Sequence, residues 1–133
     1  MSQVILIAGN SKRFLDEARI FETFLRQDVG LTDIQLVETA YLDKDELARQ
    51  LGNRFFQDTD QSPALLLFTG HGSKESWSLN DNQELPYKTL AMLLKSLARP
   101  LLFINACCYA FSVASHLEKA SVSPEKVSVI ATC

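Results

Sequence analysis

The sequence predicts an α/β fold: one three-layer domain over residues 1–133, in which a mainly parallel five-stranded sheet carries helices on both faces. Three observations lead there. Apolar runs alternate with amphipathic stretches along the whole chain, the pattern of repeated βαβ crossovers. Runs such as VILIAG and PALLLFTG are continuous rather than alternating, as strands buried on both faces are. Finally, 133 residues with 47% hydrophobic and 22% charged side chains match one ordinary globular domain.

The first strand is VILIAG (4–9). SKRFLDEARIFETFLRQD (11–28) follows as an amphipathic helix, with Phe14, Ala18, Phe21 and Leu25 at helical spacing and Gly30 closing it. DIQLVETA (33–40) is the second strand, and DKDELARQLGNRFFQ (43–57) is a helix with acidic residues in its first turn, where the dipole favours them. PALLLFTG (63–70) is the third and most apolar strand. A polar loop leads to PYKTLAMLLKSLA (86–98), a helix opened by proline. PLLFINAC (100–107) is the fourth strand, FSVASHLEKA (111–120) a helix, and KVSVIAT (126–132) the fifth strand. No repeat, low-complexity tract or linker interrupts the series.

Charge and cysteine usage exclude several classes. The net charge is −3, the pI is near 5.3, and Lys and Arg are scattered, which argues against nucleic acid or an anionic membrane as main partner. Cysteines 107, 108 and 133 are odd in number, and neighbours in sequence seldom bridge, so no secreted disulfide framework is expected. MSQVILIAGN lacks a basic n-region, its apolar run is too short for a signal peptide, and no run approaches a membrane span. The expected location is cytoplasmic, with reduced thiols.

In open parallel sheets, ligands bind beyond the carboxyl ends of the strands. Strand one delivers GNSKR there, strand three TGHGS, and strand four NACCY. His71 and Cys107 thus stand at corresponding points, 36 positions apart (107 − 71) with one helix between them, the length of one crossover. A cysteine nucleophile attacks as thiolate and needs a base or a positive field, and imidazole relays protons near neutral pH. The helix after Cys107 would favour that thiolate if the turn into it is tight. Gly72 has no Cβ to obstruct a substrate carbonyl, so the N–H groups of Gly72 and Cys107 are candidate oxyanion donors. Arg13 either meets substrate or caps its helix. Cys108 is read as a packing residue, His116 as a solvated helix residue, and Trp77 as either a lid or a partner anchor. Asp81 and Glu84 are solvated loop charges without a ligand cluster, and GNSKR lacks the spacing of a phosphate loop, so neither metal nor cofactor is expected.

LLLFTGHG and PLLFINACC, in that order, resemble the histidine and cysteine blocks of the caspase–legumain superfamily of cysteine peptidases. VILIAGNSKRFLDEARIFETFLRQDVGLTDIQLV is most similar to the legumain branch, and VSVIAT to its next strand, so the likeness spans nearly the whole chain. It implies a caspase-like sheet of order 2-1-3-4-5 and a thiol endopeptidase acting on a peptide or protein. Cys107 would be its nucleophile, His71 the catalytic partner and Gly72 an oxyanion amide, without metal or third catalytic acid. Arg13 matches an arginine that lines the pocket before the scissile bond, and its planar fork suits an acidic or amide side chain, hence cleavage after Asp or Asn. Asn105 stands where an acidic residue is usual, either on the substrate side or satisfying backbone groups at the strand end. Cys108 replaces a small polar residue. Family members usually continue with a further strand and pocket loops, so the 126–132 edge is expected to lie open and pair with a second copy or subunit. The chain is then a larger subunit left by processing, a minimal homodimer, or a relative that has lost its pocket. The last leaves a non-catalytic interaction module as the alternative function. A flavodoxin-like binder of a phosphorylated ligand is a third class, but no motif supports it.

Overall fold

The computed structural model describes residues 3–56 and 61–133. In chain order its elements are β1 (Gln3–Ala8), α1 (Lys12–Phe24), β2 (Ile34–Glu38), α2 (Lys44–Phe56), β3 (Ala64–Thr69), β4 (His71–Gly72), β5 (Ser76–Asn80), β6 (Gln83–Pro86), α3 (Tyr87–Lys95), β7 (Leu101–Ala106), α4 (Ser112–Lys119) and β8 (Val127–Thr132). The main sheet has the order β2-β1-β3-β7-β8 with every pair parallel, which is the expected 2-1-3-4-5 counted over its own five strands. No helix among the described residues is long and apolar enough to cross a membrane.

The continuous apolar runs fill both faces of this sheet. Val4, Leu6, Leu65 and Leu67 point to one side, where Leu25 covers them, and Ala8 packs there with Phe14 and Ala18 of α1. Ile5, Ile7, Leu66, Phe68 and Phe103 point to the other side, against Leu47 and Leu51 of α2, Leu90 and Leu94 of α3, and Val113 and Leu117 of α4. The layering is therefore uneven. Helix α1 packs mainly on β1, β2 and β3, and on its side Leu102 and Ile104 of β7 stay half-buried and Ile130 of β8 is 50% exposed.

Two element expectations are corrected. The helix read as 11–28 is α-helical only to Phe24, and Leu25–Val29 form a π-helical turn. That wider turn keeps Leu25 buried while its carbonyl accepts from the amides of both Gly30 and Leu31, with Gly30 at φ 82° ending the element as expected. The segment read as a polar loop is instead a three-stranded antiparallel sheet, β4-β5-β6. Its signal is the alternation in SWSLN, which turns Trp77 and Leu79 into the core and leaves Ser78 and Asn80 half-buried. The expected end of the second helix at Gln57 lies outside the described residues.

Candidate active site

Strands β3 and β7 run side by side to a last register pair, Thr69↔Ala106, and the Gly70 amide donates to the Ala106 carbonyl at 3.2 Å. Both chains then turn off the sheet. A cleft of about 310 Å³ opens there, and Arg13, Thr69, His71, Cys107, Cys108 and Cys133 are among the residues lining it. His71 and Cys107 therefore share one cleft, as their spacing predicts. A larger apolar groove of about 490 Å³ between α4 and β8, lined by Leu117, Val122 and Val127 among others, contains neither cysteine nor histidine.

Cys107 is 3% exposed, and its sulfur faces a closed ring of hydrogen bonds. Its Sγ–H donates to Asn105 Oδ1 at 3.5 Å, Asn105 Nδ2 donates to the Tyr87 hydroxyl at 3.2 Å, and that hydroxyl lies 3.4 Å from the sulfur. Asn105 is completed by Trp77 Nε1, which donates to its Oδ1 at 2.8 Å, and by the Ala110 carbonyl, which accepts from its Nδ2 at 3.0 Å. Both amide hydrogens and both oxygen lone pairs are thus used. Burial pushes the Cys107 thiol up, the Tyr87 hydrogen bond opposes this, and nearby Cys108 and Cys133 add to the rise. Burial also raises the Tyr87 hydroxyl, with the Cys107 hydrogen bond adding to it. At rest the sulfur is a protonated thiol.

The main chain of Gly72 lies against that sulfur. A Cβ on Gly72 would stand 2.7 Å from Cys107 Sγ and 3.0 Å from the Cys108 carbonyl oxygen, so only glycine fits. Its amide is also positioned by the small sheet. Ser73 N–H donates to the Ser76 carbonyl at 2.9 Å, marking a hydrogen-bonded pair; the next pair, Gly72↔Trp77, is then non-hydrogen-bonded. This leaves the Gly72 N–H on the open edge of β4. Gly70, before the histidine, has a different reason to be glycine. A Cβ on Gly70 would stand 2.7 Å from Phe68 Cζ and 3.2 Å from Gly9 Cα, where the ends of β1 and β3 approach backbone to backbone.

His71 is exposed, and its ring is steadied edge-on against Phe14, centroids 4.9 Å apart at 89°. Among the described residues no hydrogen bond joins it to Cys107. Arg13 stands over the Phe14 ring at 5.4 Å and pairs with Glu17 (Nε–Oε1 3.3 Å), whose other oxygen accepts from Thr69 Oγ1 at 2.6 Å. The side chain of Arg13 remains 76% exposed.

Several readings change. Asn105, a candidate on the substrate side, is fully buried and satisfies the Ala110 carbonyl beneath the cleft, the other reading given for it. The Cys107 amide is no oxyanion donor, because it continues the sheet ladder to the Thr132 carbonyl at 3.0 Å. The turn after Cys107 is tight, closed by Ala110 N–H donating to the Cys107 carbonyl at 3.2 Å, but it does not lead straight into the helix: Tyr109 at φ 57° intervenes and α4 begins only at Ser112, five residues beyond the thiol. Cys108 is exposed rather than packed. Trp77 is neither lid nor anchor but fully buried, because its indole N–H finds Asn105 inside the fold. His116 is only 17% exposed, held between the Tyr87 ring and Glu75, whose Oε2 lies 3.4 Å from its Nε2.

Three residues escape the motif reading: Glu17 and Cys133, which line the cleft, and Tyr87, buried beneath it against the Cys107 sulfur. Nothing in the sequence marks Tyr87 beyond its place after the proline that opens a helix. Cys133 does carry a signal, because PLLFINAC and KVSVIATC are apolar eight-residue stretches that each end in cysteine. No protein-family model matches the chain, and no curated protein matches it.

Proposed function

We propose that the chain is a thiol endopeptidase of the caspase–legumain type, acting in the cytoplasm where its thiols stay reduced. The observation that carries this reading is the shared cleft, in which Cys107 and His71 leave adjacent parallel strands and Gly72 packs directly on the sulfur. Cys107 Sγ attacks a peptide carbonyl carbon and passes its proton to His71. The oxyanion is held by the Gly72 N–H, the donor that the small sheet leaves open. Collapse forms the thioester, and His71 gives its proton to the leaving amine. Water, deprotonated by His71, then releases the acid and restores the thiol. The Arg13–Glu17 pair refines the expected preference. Beside Glu17 an acidic side chain meets repulsion, whereas an amide accepts from Arg13 and donates to Glu17, so Asn is favoured over Asp. A peptide probe ending in an Asn electrophile should label Cys107 in the native chain, more weakly with Asp in its place, and not at all in Cys107→Ala. Labelling that persists in Cys107→Ala, or none in the folded chain, defeats the assignment.

A second reading is supported by the buried, hydrogen-bonded thiol and by β8, an edge strand with half-exposed Ile130. A non-catalytic module would associate with a second copy or subunit through that edge. Stable association in light scattering, without turnover and unaltered by Cys107→Ala, favours it.

A further inference from the structure

We propose that Cys107 and Cys133 form a reversible disulfide across the ends of β7 and β8, closing the cleft in response to a peroxide. The two strands are in parallel register from Leu101↔Val127 to Ala106↔Thr132, a constant offset of 26 (127 − 101 and 132 − 106) that sets Cys133 opposite Cys107. The ladder reaches that point: Leu101 N–H donates to the Lys126 carbonyl at 2.8 Å, and Cys107 N–H repeats the pattern on Thr132 at 3.0 Å. Parallel neighbours lie about 4.8 Å apart, within the range of about 4.4–6.8 Å between Cα atoms that a disulfide spans. Side-chain parity agrees. Leu101, Phe103 and Cys107 share one core face with Val127, Val129 and Ala131, and residue 133 is next in that alternation. Both cysteines are free, both line the cleft, and Cys133 is the exposed one.

Peroxide reaches the exposed sulfur first. Cys133 thiolate attacks a peroxide oxygen, breaks the O–O bond and becomes a sulfenic acid, and the released hydroxide leaves as water with the thiol proton. Cys107 Sγ then attacks the sulfenic sulfur; the S–S bond forms, the S–O bond breaks, and the departing hydroxide takes the Cys107 proton. Two thiols and one hydrogen peroxide give one disulfide and two waters, and a small dithiol reverses the bond. The pairing stands apart from the peptidase reading; only its consequence, a nucleophile capped until reduced, rests on it.

The test is to treat the reduced chain with equimolar hydrogen peroxide, alkylate it, and map its peptides without reductant. The expected product links the Cys107 and Cys133 peptides, lowers the intact mass by two hydrogens and is reversed by dithiothreitol. It should be absent in Cys133→Ser and retained in Cys108→Ser. A bond from Cys108 to either neighbour, intermolecular bonds alone, or oxygen addition without any bridge would overturn the proposal. A chain that forms the bond yet, when reduced, takes no electrophilic probe keeps the disulfide and loses the peptidase.

Discussion

The Tyr87 hydroxyl lowers the thiol it touches while burial raises it, so it tunes Cys107 without sharing its chemistry. In Tyr87→Phe the sulfur loses its one favourable partner for the thiolate, and Asn105 Nδ2 loses an acceptor. Alkylation of Cys107 by iodoacetamide, followed by peptide mass against pH, should start above the range of a free thiol and move higher still in Tyr87→Phe. An unchanged or lower profile would show that the hydroxyl does not act on the sulfur. Stability follows the same sign. The folded chain keeps a Cys107 proton that the unfolded chain gives up, so this contribution is full below the ordinary thiol pKa and is lost as pH rises toward the folded value. Removing the hydroxyl should also cost about 1 kcal/mol, the net value of a buried hydrogen bond.

At the level of elements, helix α4 offers a clean gain. Val122 N–H donates to the Leu117 carbonyl at 3.0 Å and Ser121 N–H to Glu118 at 3.0 Å, the paired bonds of a Schellman cap, with Val122 and Leu117 in the same core cluster. Ser121 holds the left-handed position at φ 61° and is exposed. Ser121→Gly should therefore stabilise the chain by about 0.5–1 kcal/mol, read as a rise in denaturation midpoint at constant slope; a fall would mean the serine side chain contributes more than the strain. The five parallel strands and four helices were legible because each carries its own local signal: continuous apolar runs, helical spacing, Pro86 at a helix start, Gly30 at a helix end. His71 and Cys107 were legible because strand ends converge in this topology whatever the loops do. What stayed hidden depends on partners far along the chain. Trp77 lies in a polar stretch, and only Asn105, 28 positions on, makes its burial affordable. Asn105 looked like a cleft residue by its place before the cysteine, yet on the core face that it shares with Cys107 it is enclosed by Trp77, Tyr87 and the Ala110 carbonyl.

For the molecule as a whole, the question is whether the β4-β5-β6 sheet is a flap or part of the core. Trp77 stacks on Phe68 of the central strand, centroids 4.3 Å apart at 8°, and meets Phe103 of β7 edge-on at 5.8 Å. From the other side, Asn80 Nδ2 donates to the carbonyls of Thr39 (2.9 Å) and Leu42 (3.0 Å), and the Thr39 hydroxyl donates to Leu79. The small sheet is thus fastened to two strands of the large one, β3 and β7, and to the loop before α2, and it carries Gly72 onto the sulfur. It should unfold only with everything else. Because Trp77 is the single tryptophan, its emission reports this sheet alone while far-UV circular dichroism reports mainly the helices and the large sheet. The two should trace one coincident transition in urea, with the same midpoint and slope. Trp77→Phe, which leaves Asn105 Oδ1 without its strongest donor and opens a gap above Phe103, should lower stability by about 2 kcal/mol or more. An emission transition preceding the dichroism would instead make residues 71–86 a separately opening flap, and Gly72 would then be brought to Cys107 by closure rather than held there by the fold.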